Sequence, residues 1–154
     1  MKKVLVFILL SLLLIGCKPP TEPITENSIK VFREGKPFFM AGISRRLVTV
    51  NHAGEIIDKV NLCDDIDSIA KSYLFDSKSN YILIDCDGRW YYIDKNTGLI
   101  KKDRNYNAWI KKELPPNYIG TFMINRAKGN RDYYLIKEDS ININDVYEFG
   151  GGDE

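Results

Sequence analysis

Residues 80–94 read NYILIDCDGRWYYID, and this stretch decides how the chain folds. Two apolar, β-rich runs flank the Asp-Gly pair at 87–88, which is a strong signal for a tight hairpin turn. In the second run, Trp90 and Tyr92 face one side of a strand, while the residues that alternate with them face the other side. Large apolar side chains on both faces predict a strand that lies in the interior of its sheet.

Similar pairs of β-rich runs recur along the chain, and short polar or Gly-containing segments separate the members of each pair. This pattern predicts hairpins and therefore an antiparallel sheet. The pairs are 29–33 with 37–43, 47–50 with 55–60, and 117–125 with 131–137. A turn at 95–98 leads into a further short run at 99–102, and residues 141–149 predict an edge strand.

Residues 64–75 have a different period, which predicts an amphipathic helix packed on the sheet. Its apolar stripe consists of Ile66, Ile69, Ala70, Tyr73 and Leu74. The carboxylates of Asp64, Asp65 and Asp67 would cap free backbone N–H groups in the first turn and meet the positive end of the helix dipole. This role explains the acidic cluster better than calcium does, because a calcium site requires oxygen ligands spaced along a Gly-containing loop.

A second short helix is predicted at residues 105–114, where two prolines end it. The predicted fold class is therefore α+β, mainly an antiparallel β-sheet of hairpins with one or two short α-helices packed on it. A chain of 154 residues suits one domain of ordinary size. Its net charge of +1 argues against electrostatic capture of nucleic acid, and its 12% aromatic content argues against disorder.

The N-terminus has the layout of a secretory signal. Lys2 and Lys3 supply positive charge, and residues 4–16 form an apolar run interrupted only by Ser11. A transmembrane anchor is the alternative, but a helix needs about 20 residues to cross a bilayer core of about 30 Å. The run is too short for that.

The run ends in Leu14-Ile15-Gly16-Cys17, which resembles the lipobox of bacterial lipoproteins. The resemblance implies that Cys17 is lipidated and that the signal peptide, residues 1–16, is cleaved between Gly16 and Cys17. Two or three acyl chains then hold the protein on a membrane permanently. Lys18 is not the Asp that commonly retains such proteins in the inner membrane, so the resemblance favours the outer membrane, facing the periplasm, in a host with two membranes.

The remaining boundaries follow from composition. Residues 17–28 comprise the lipidated cysteine and a Pro-rich, extended tether. Residues 29–149 form a single α+β domain, and residues 150–154 form a disordered tail. The stretch 81–98, followed by a helical run ending at Leu114, resembles small uncharacterised bacterial lipoprotein families that carry a YYIID-x-x-x-G strand and turn. That resemblance implies no activity.

Cys63 and Cys86 are the two cysteines that remain for the folded domain. In an oxidising compartment a disulfide between them is the favoured interpretation, because it would join two elements across a separation of 23 residues. Two buried free thiols are the second interpretation. A redox pair is the third, since no Cys-x-x-Cys spacing is present to lower the pKa of one thiol.

The residue inventory does not favour an enzyme. The only histidine, His52, lies at a predicted turn, and no nucleophile elbow or phosphate-binding Gly loop precedes a helix. Asp85 and Asp87 flank a turn and are explained as turn formers. We therefore predict no catalytic residues, no metal site and no cofactor.

A non-catalytic binding module is the better-supported prediction, because aromatic side chains provide large contact areas at low entropic cost. Its partner would be a protein, blocked in the manner of an immunity or exclusion lipoprotein. An accessory subunit of an envelope assembly, or a module that binds cell-wall glycan, is the alternative. The candidate contact residues are Trp90, Tyr91, Trp109, Tyr118, Tyr133 and Tyr134.

Overall fold

The structure, a computed structural model, describes residues 22–34, 43–66, 69–103, 113–124 and 132–147. Within these ranges the chain forms two antiparallel β-sheets with nine strands in total, together with one short α-helix. This architecture confirms the predicted class of mainly antiparallel sheet with a short helix. No described helix is both long enough and apolar enough to cross a membrane.

The strands are short, and most are joined in sequence as hairpins. Their bounds are β1 Ile29–Glu34, β2 Ser44–Val50, β3 Ile56–Asn61, β4 Ser72–Asp76, β5 Asn80–Ile84, β6 Trp90–Asp94, β7 Ile100–Lys102, β8 Tyr118–Ile124 and β9 Tyr133–Lys137. A single 3-10 turn, Glu26–Ser28, precedes β1, and the helix α1 is Ile143–Tyr147.

The smaller sheet has the order β1-β2-β3. The β2–β3 hairpin is confirmed where the sequence predicts it, and Gly54 in its turn has a φ of +81°, which suits glycine. The predicted partner of β1 was 37–43, but β1 pairs with β2, from Ile29 opposite Thr49 to Glu34 opposite Ser44. Residues 35–42 lie outside the described part of the chain.

The larger sheet has the order β7-β6-β5-β4-β8-β9. The β5–β6 and β8–β9 hairpins are both confirmed, and Gly88 in the first of them has a φ of +73°. Strand β6 lies in the interior of this sheet as predicted, with β7 alone outside it.

Each face of the larger sheet has its own apolar core, because side chains alternate along every strand. One face packs against the smaller sheet and buries Leu47, Leu74, Leu83, Tyr91, Ile93 and Phe122, among others. The opposite face buries Tyr73, Phe75, Ile82, Ile84 and Trp90 under Val146 of α1. The predicted division of residues 90–93 between two faces is therefore confirmed.

The predicted helix at residues 64–75 is wrong. Its C-terminal third is strand β4, and no helix occurs in the described residues of the range, 64–66 and 69–75. Strand pairing prevails because β4 lies between β5 and β8 and is buried on both faces, with Leu74 in one core and Phe75 in the other. This burial outweighs a weak local preference for helix.

The predicted edge strand at 141–149 is also wrong, since Ile143–Tyr147 forms α1. The Asn142 side-chain oxygen accepts a hydrogen bond from the Asn144 N–H at 2.9 Å, which is the usual device for starting a helix. Tyr73 donates its hydroxyl to the Asp145 carbonyl at 2.7 Å and holds α1 on the sheet.

Residues before the predicted domain boundary at residue 29 also pack on the domain. Ile24 is buried against the larger sheet, and its N–H donates to the Lys95 carbonyl at 2.8 Å. Residues 24–28 therefore belong to the domain instead of the tether. The predicted second helix, 105–114, falls almost wholly outside the described residues, as does the tail 150–154.

Candidate functional site

A buried arginine joins the two sheets. Arg45 on β2 and Asp85 at the end of β5 form an ion pair, with Arg45 Nη1 2.9 Å from Asp85 Oδ1 and both side chains fully buried. Arg45 Nη2 also donates to the hydroxyl of Ser72 on β4, which in turn donates to Asp85 Oδ1 at 2.9 Å. Three strands of two sheets therefore share one closed hydrogen-bonded ring.

The same guanidinium contacts sulfur and an aromatic ring. Arg45 Nη1 lies 3.3 Å from Cys63 Sγ and 3.6 Å from Cys86 Sγ, and Arg45 Cζ lies 4.7 Å from the centre of the Tyr133 ring. We call Arg45, Ser72, Asp85, Cys63 and Cys86 the Arg45 cluster. Arg45 Nε has no hydrogen-bond partner among the described residues.

Burial raises the pKa of the Asp85 carboxyl above its usual value. Three neighbours oppose this effect: the Arg45 guanidinium and the backbone N–H groups of Cys63 and Cys86. The Cys63 N–H donates to Asp85 Oδ2 at 2.6 Å. Each carboxylate oxygen therefore has a donor, as a buried charge requires.

Cys63 and Cys86 lie side by side with their sulfurs within bonding reach and their Cα atoms 6.3 Å apart. This separation falls in the range that a disulfide allows. The favoured interpretation from the sequence therefore fits the placement of the pair. Both cysteines are half-buried, whereas Arg45 and Asp85 beneath them are inaccessible.

The two sulfurs and Asp85 bring three metal-ligand atoms within 4.8 Å of one another. Metal binding at this point would need two thiolates, and a disulfide provides none. The Arg45 guanidinium also lies against all three groups and would repel a cation. We assign no metal to this cluster.

The chain between Cys63 and β4 is held in place by Asp65, which is buried. Its Oδ1 accepts the N–H groups of Ile69 and Ala70 at 2.9 and 3.1 Å, and its Oδ2 accepts the Tyr133 hydroxyl. Its backbone forms a β-bridge with Ile43 through two hydrogen bonds of 2.8 Å. The predicted role of Asp65 as a helix cap is wrong, because the described residues here form no helix, but its carboxylate does accept backbone N–H groups.

This loop displays two apolar side chains on the surface. Ile66 is 72% exposed and Ile69 is 46% exposed, although both are β-branched residues that usually lie in cores. They border a cavity of about 240 Å³ that Cys86 and Tyr73 line on one side and Val146 of α1 lines on another. We call this cavity the isoleucine cleft. Asp64, Lys71 and Asp145 give it a charged rim.

The aromatic residues predicted to contact a partner are mostly core residues. Trp90, Tyr91 and Tyr133 are buried, so a partner cannot contact them from outside. Tyr118 is half-buried, and its hydroxyl hydrogen-bonds to Thr121 and donates to Glu138 Oε2 at 2.6 Å. Tyr134 is half-buried beside a groove between β1 and β9. Trp90 and Tyr91 point to opposite faces of β6, and both are buried because both faces of the larger sheet are covered.

The remaining predicted positions lie either outside the described residues or in an exposed turn. Trp109, Gly16 and Cys17 lie outside the described residues. His52 occupies an exposed turn as predicted, where its Nε2 is 3.4 Å from Glu22 Oε2. Sequence reasoning missed the Arg45 cluster. The available signal was that Arg45 alternates with Leu47 and Thr49 on one face of β2, because a charge on a buried face requires a partner.

The chain was also compared with known proteins. No protein-family model, no curated protein and no solved structure matches it.

Proposed function

We propose that this protein is a lipid-anchored protein of the bacterial envelope that binds and blocks a protein partner without catalysis, in the manner of an immunity or exclusion protein. The partner contacts the isoleucine cleft and its rim. The membrane anchor is the lipid on Cys17, which the sequence Leu14-Ile15-Gly16-Cys17 supports. The observation that carries the binding role is the exposure of Ile66 and Ile69 beside backbone that the hydrogen bonds of Asp65 hold in place.

The fixed loop matters because ordering a flexible loop on binding consumes part of the interaction free energy. Here Asp65 already holds the backbone of Ile69 and Ala70, and the β-bridge to Ile43 fixes the start of the loop. A partner therefore meets apolar side chains that are already in position. Such a central apolar contact within a charged rim is typical of protein interfaces.

The charged rim favours a protein partner over a glycan. Asp64, Lys71 and Asp145 carry both signs of charge around an aliphatic centre. Proteins that bind carbohydrate usually stack sugar rings on exposed aromatic faces. The aromatic ring that the described residues place at this cleft, Tyr73, is buried. Aliphatic surface suits an apolar side chain of a partner.

The anchor gives the first prediction. Cys17→Ser should abolish incorporation of labelled palmitate and leave a precursor about sixteen residues longer, because neither lipid transfer nor cleavage can occur without the thiol. Metabolic labelling followed by gel electrophoresis measures both. Cys86→Ser is the matched control, since it removes a thiol of the folded domain and should leave labelling intact. Undiminished labelling of the Cys17→Ser protein would refute the anchor.

The cleft gives the second prediction. The double substitution Ile66→Ser/Ile69→Ser should abolish the host phenotype that deletion of the gene reveals, and should weaken partner binding roughly 100-fold, because each isoleucine buried at an interface contributes about 1.5 kcal/mol or more. Complementation of the deletion strain and the affinity for the captured partner are the measurements. The melting temperature should change little, since both side chains are exposed.

Leu99→Ser is the control for this experiment. Leu99 is 56% exposed and lies in the turn before β7, away from the cleft. It should complement the deletion as well as the parent protein does. If the double variant complements fully at equal protein level, or if Leu99→Ser fails equally, the isoleucine cleft is not the contact surface.

A further inference from the structure

We infer that Cys63 and Cys86 form a thiol–disulfide exchange site, at which the isoleucine cleft admits the thiol of a dithiol protein to the sulfur of Cys86. The inference shares the cleft with the proposed binding function but does not rest on it. Three features of the structure carry it: the access to Cys86, the cation against both sulfurs, and the bonds that hold the fold without the disulfide.

Access is the first feature. Cys86 lines the isoleucine cleft, whereas Cys63 does not. A thiolate that enters the cleft therefore meets Cys86, and its attack on the Cys86 sulfur would make Cys63 the leaving group. Ile66, Ile69 and Val146 form the apolar walls of the approach, so the substrate class is a protein thiol with apolar side chains beside it.

The guanidinium of Arg45 is the second feature. Its Nη1 lies 3.3 Å from Cys63 Sγ, where it can donate to the thiolate that leaves. A cation next to a leaving thiolate lowers its pKa, and a lower pKa makes it leave faster. Arg45 is held in that position by Asp85 and Ser72 and need not move during the reaction.

Asp85 is the group that opposes a thiolate here, since its carboxylate faces the same sulfurs. Its oxygens are already engaged by Arg45, by the Ser72 hydroxyl and by the Cys63 N–H. These donors offset part of its negative charge. The Arg45 guanidinium contacts both sulfurs and supplies the positive charge beside them.

The third feature is that the fold has other bonds at this point. The Arg45–Asp85 pair joins the sheets, and the β-bridge of Asp65 with Ile43 holds the loop. Neither depends on the bond between the sulfurs. We therefore expect the protein to remain folded when it passes from the disulfide to the dithiol state.

The reaction balances as two successive displacements. The substrate thiolate attacks Cys86 Sγ, a mixed disulfide forms, the Cys63–Cys86 bond breaks, and its electron pair stays on Cys63 Sγ beside Arg45. The second thiol of the substrate then loses its proton to solvent. The resulting thiolate attacks the substrate sulfur that is bonded to Cys86 Sγ. This step releases Cys86 as a thiolate. The substrate dithiol loses two electrons and becomes a disulfide, and Cys63 and Cys86 gain them.

The test compares the folded with the unfolded protein. The full chain carrying Cys17→Ser, whose only remaining cysteines are Cys63 and Cys86, is treated with dithiothreitol at pH 7, with and without denaturing urea. A structural disulfide reacts more slowly when folded, because the fold shields it. We expect reduction of the folded protein to be at least tenfold faster than that of the unfolded protein. A folded rate equal to or below the unfolded rate overturns the inference.

A second measurement tests the cleft. The same protein is treated with two synthetic peptides, one with leucines and one with serines on either side of a single cysteine. The leucine peptide should form the mixed disulfide about tenfold faster, and Ile66→Ser/Ile69→Ser should remove this preference while Leu99→Ser keeps it. Equal rates for both peptides on the parent protein overturn the role of the cleft. Full complementation by Ile66→Ser/Ile69→Ser together with loss of the peptide preference would contradict only the proposed binding function. Loss of complementation with an unchanged preference would contradict only the role of the cleft in exchange.

Discussion

Arg45→Met should lower the free energy of unfolding by about 3 to 5 kcal/mol, because it leaves the buried Asp85 carboxylate without its cation. Methionine fills much of the volume of the arginine stem, so the loss reports the missing charge more than a cavity. Urea denaturation followed by tryptophan fluorescence measures it. A loss below about 1 kcal/mol would show that the Arg45–Asp85 pair does not hold the two sheets together.

The double variant Arg45→Met/Asp85→Asn is the control that separates charge from packing. With both charges removed, no ion of this pair remains buried, so the double variant should be more stable than Arg45→Met alone. The side-chain amide that Asp85→Asn introduces can still accept the Cys63 N–H through its oxygen. If the loss of unfolding free energy in the double variant equals the sum of the losses in Arg45→Met and Asp85→Asn, the two residues act independently.

The hairpins were predictable because their signals are local. At 87–88 and at Gly54 the turn residues occur between runs of alternating apolar side chains, and the structure has hairpins at both places. The pairing of β1 with β2 had no such local signal, and most of the predicted partner, 37–43, lies outside the described residues. The pairing of β1 with β2 across residues 35–42 is set by which strand covers the core, and Val31 and Leu47 meet there in register.

The region before β4 shows why periodicity alone misleads. The apolar stripe of residues 64–75 has helical spacing, yet Leu74 and Phe75 are adjacent in sequence and enter opposite cores. The local sequence of this segment does not show that it will lie between β5 and β8 in the sheet. Ile66 and Ile69, counted as core by the helical pattern, are therefore left on the surface, where they form the candidate site.

The Arg45 cluster could be predicted only in part. An arginine that alternates with Leu47 and Thr49 along β2, and an aspartate at the end of β5, are visible in the sequence, but 40 residues separate them. Their partnership depends on how the two sheets pack, which no spacing encodes. The pairing of Cys63 with Cys86 was easier to predict, because the sequence has only these two cysteines in the folded domain.

Gly120→Ala should lower the free energy of unfolding by about 3 kcal/mol, the upper end of the usual range for overpacking. Gly120 lies in β8, where Ile119 bulges out of the ladder with β4, and a Cβ added to it would lie 2.2 Å from the Ile136 carbonyl oxygen of β9. Backbone cannot yield as a side chain can, so β8 and β9 must separate. Gly54→Ala is the control, because its Cβ meets nothing within 4 Å and only its φ of +81° is unfavourable, at about 1 kcal/mol. Thermal and urea denaturation of both variants decide the matter, and equal losses would show that the close approach of β8 to β9 is not what requires glycine at position 120.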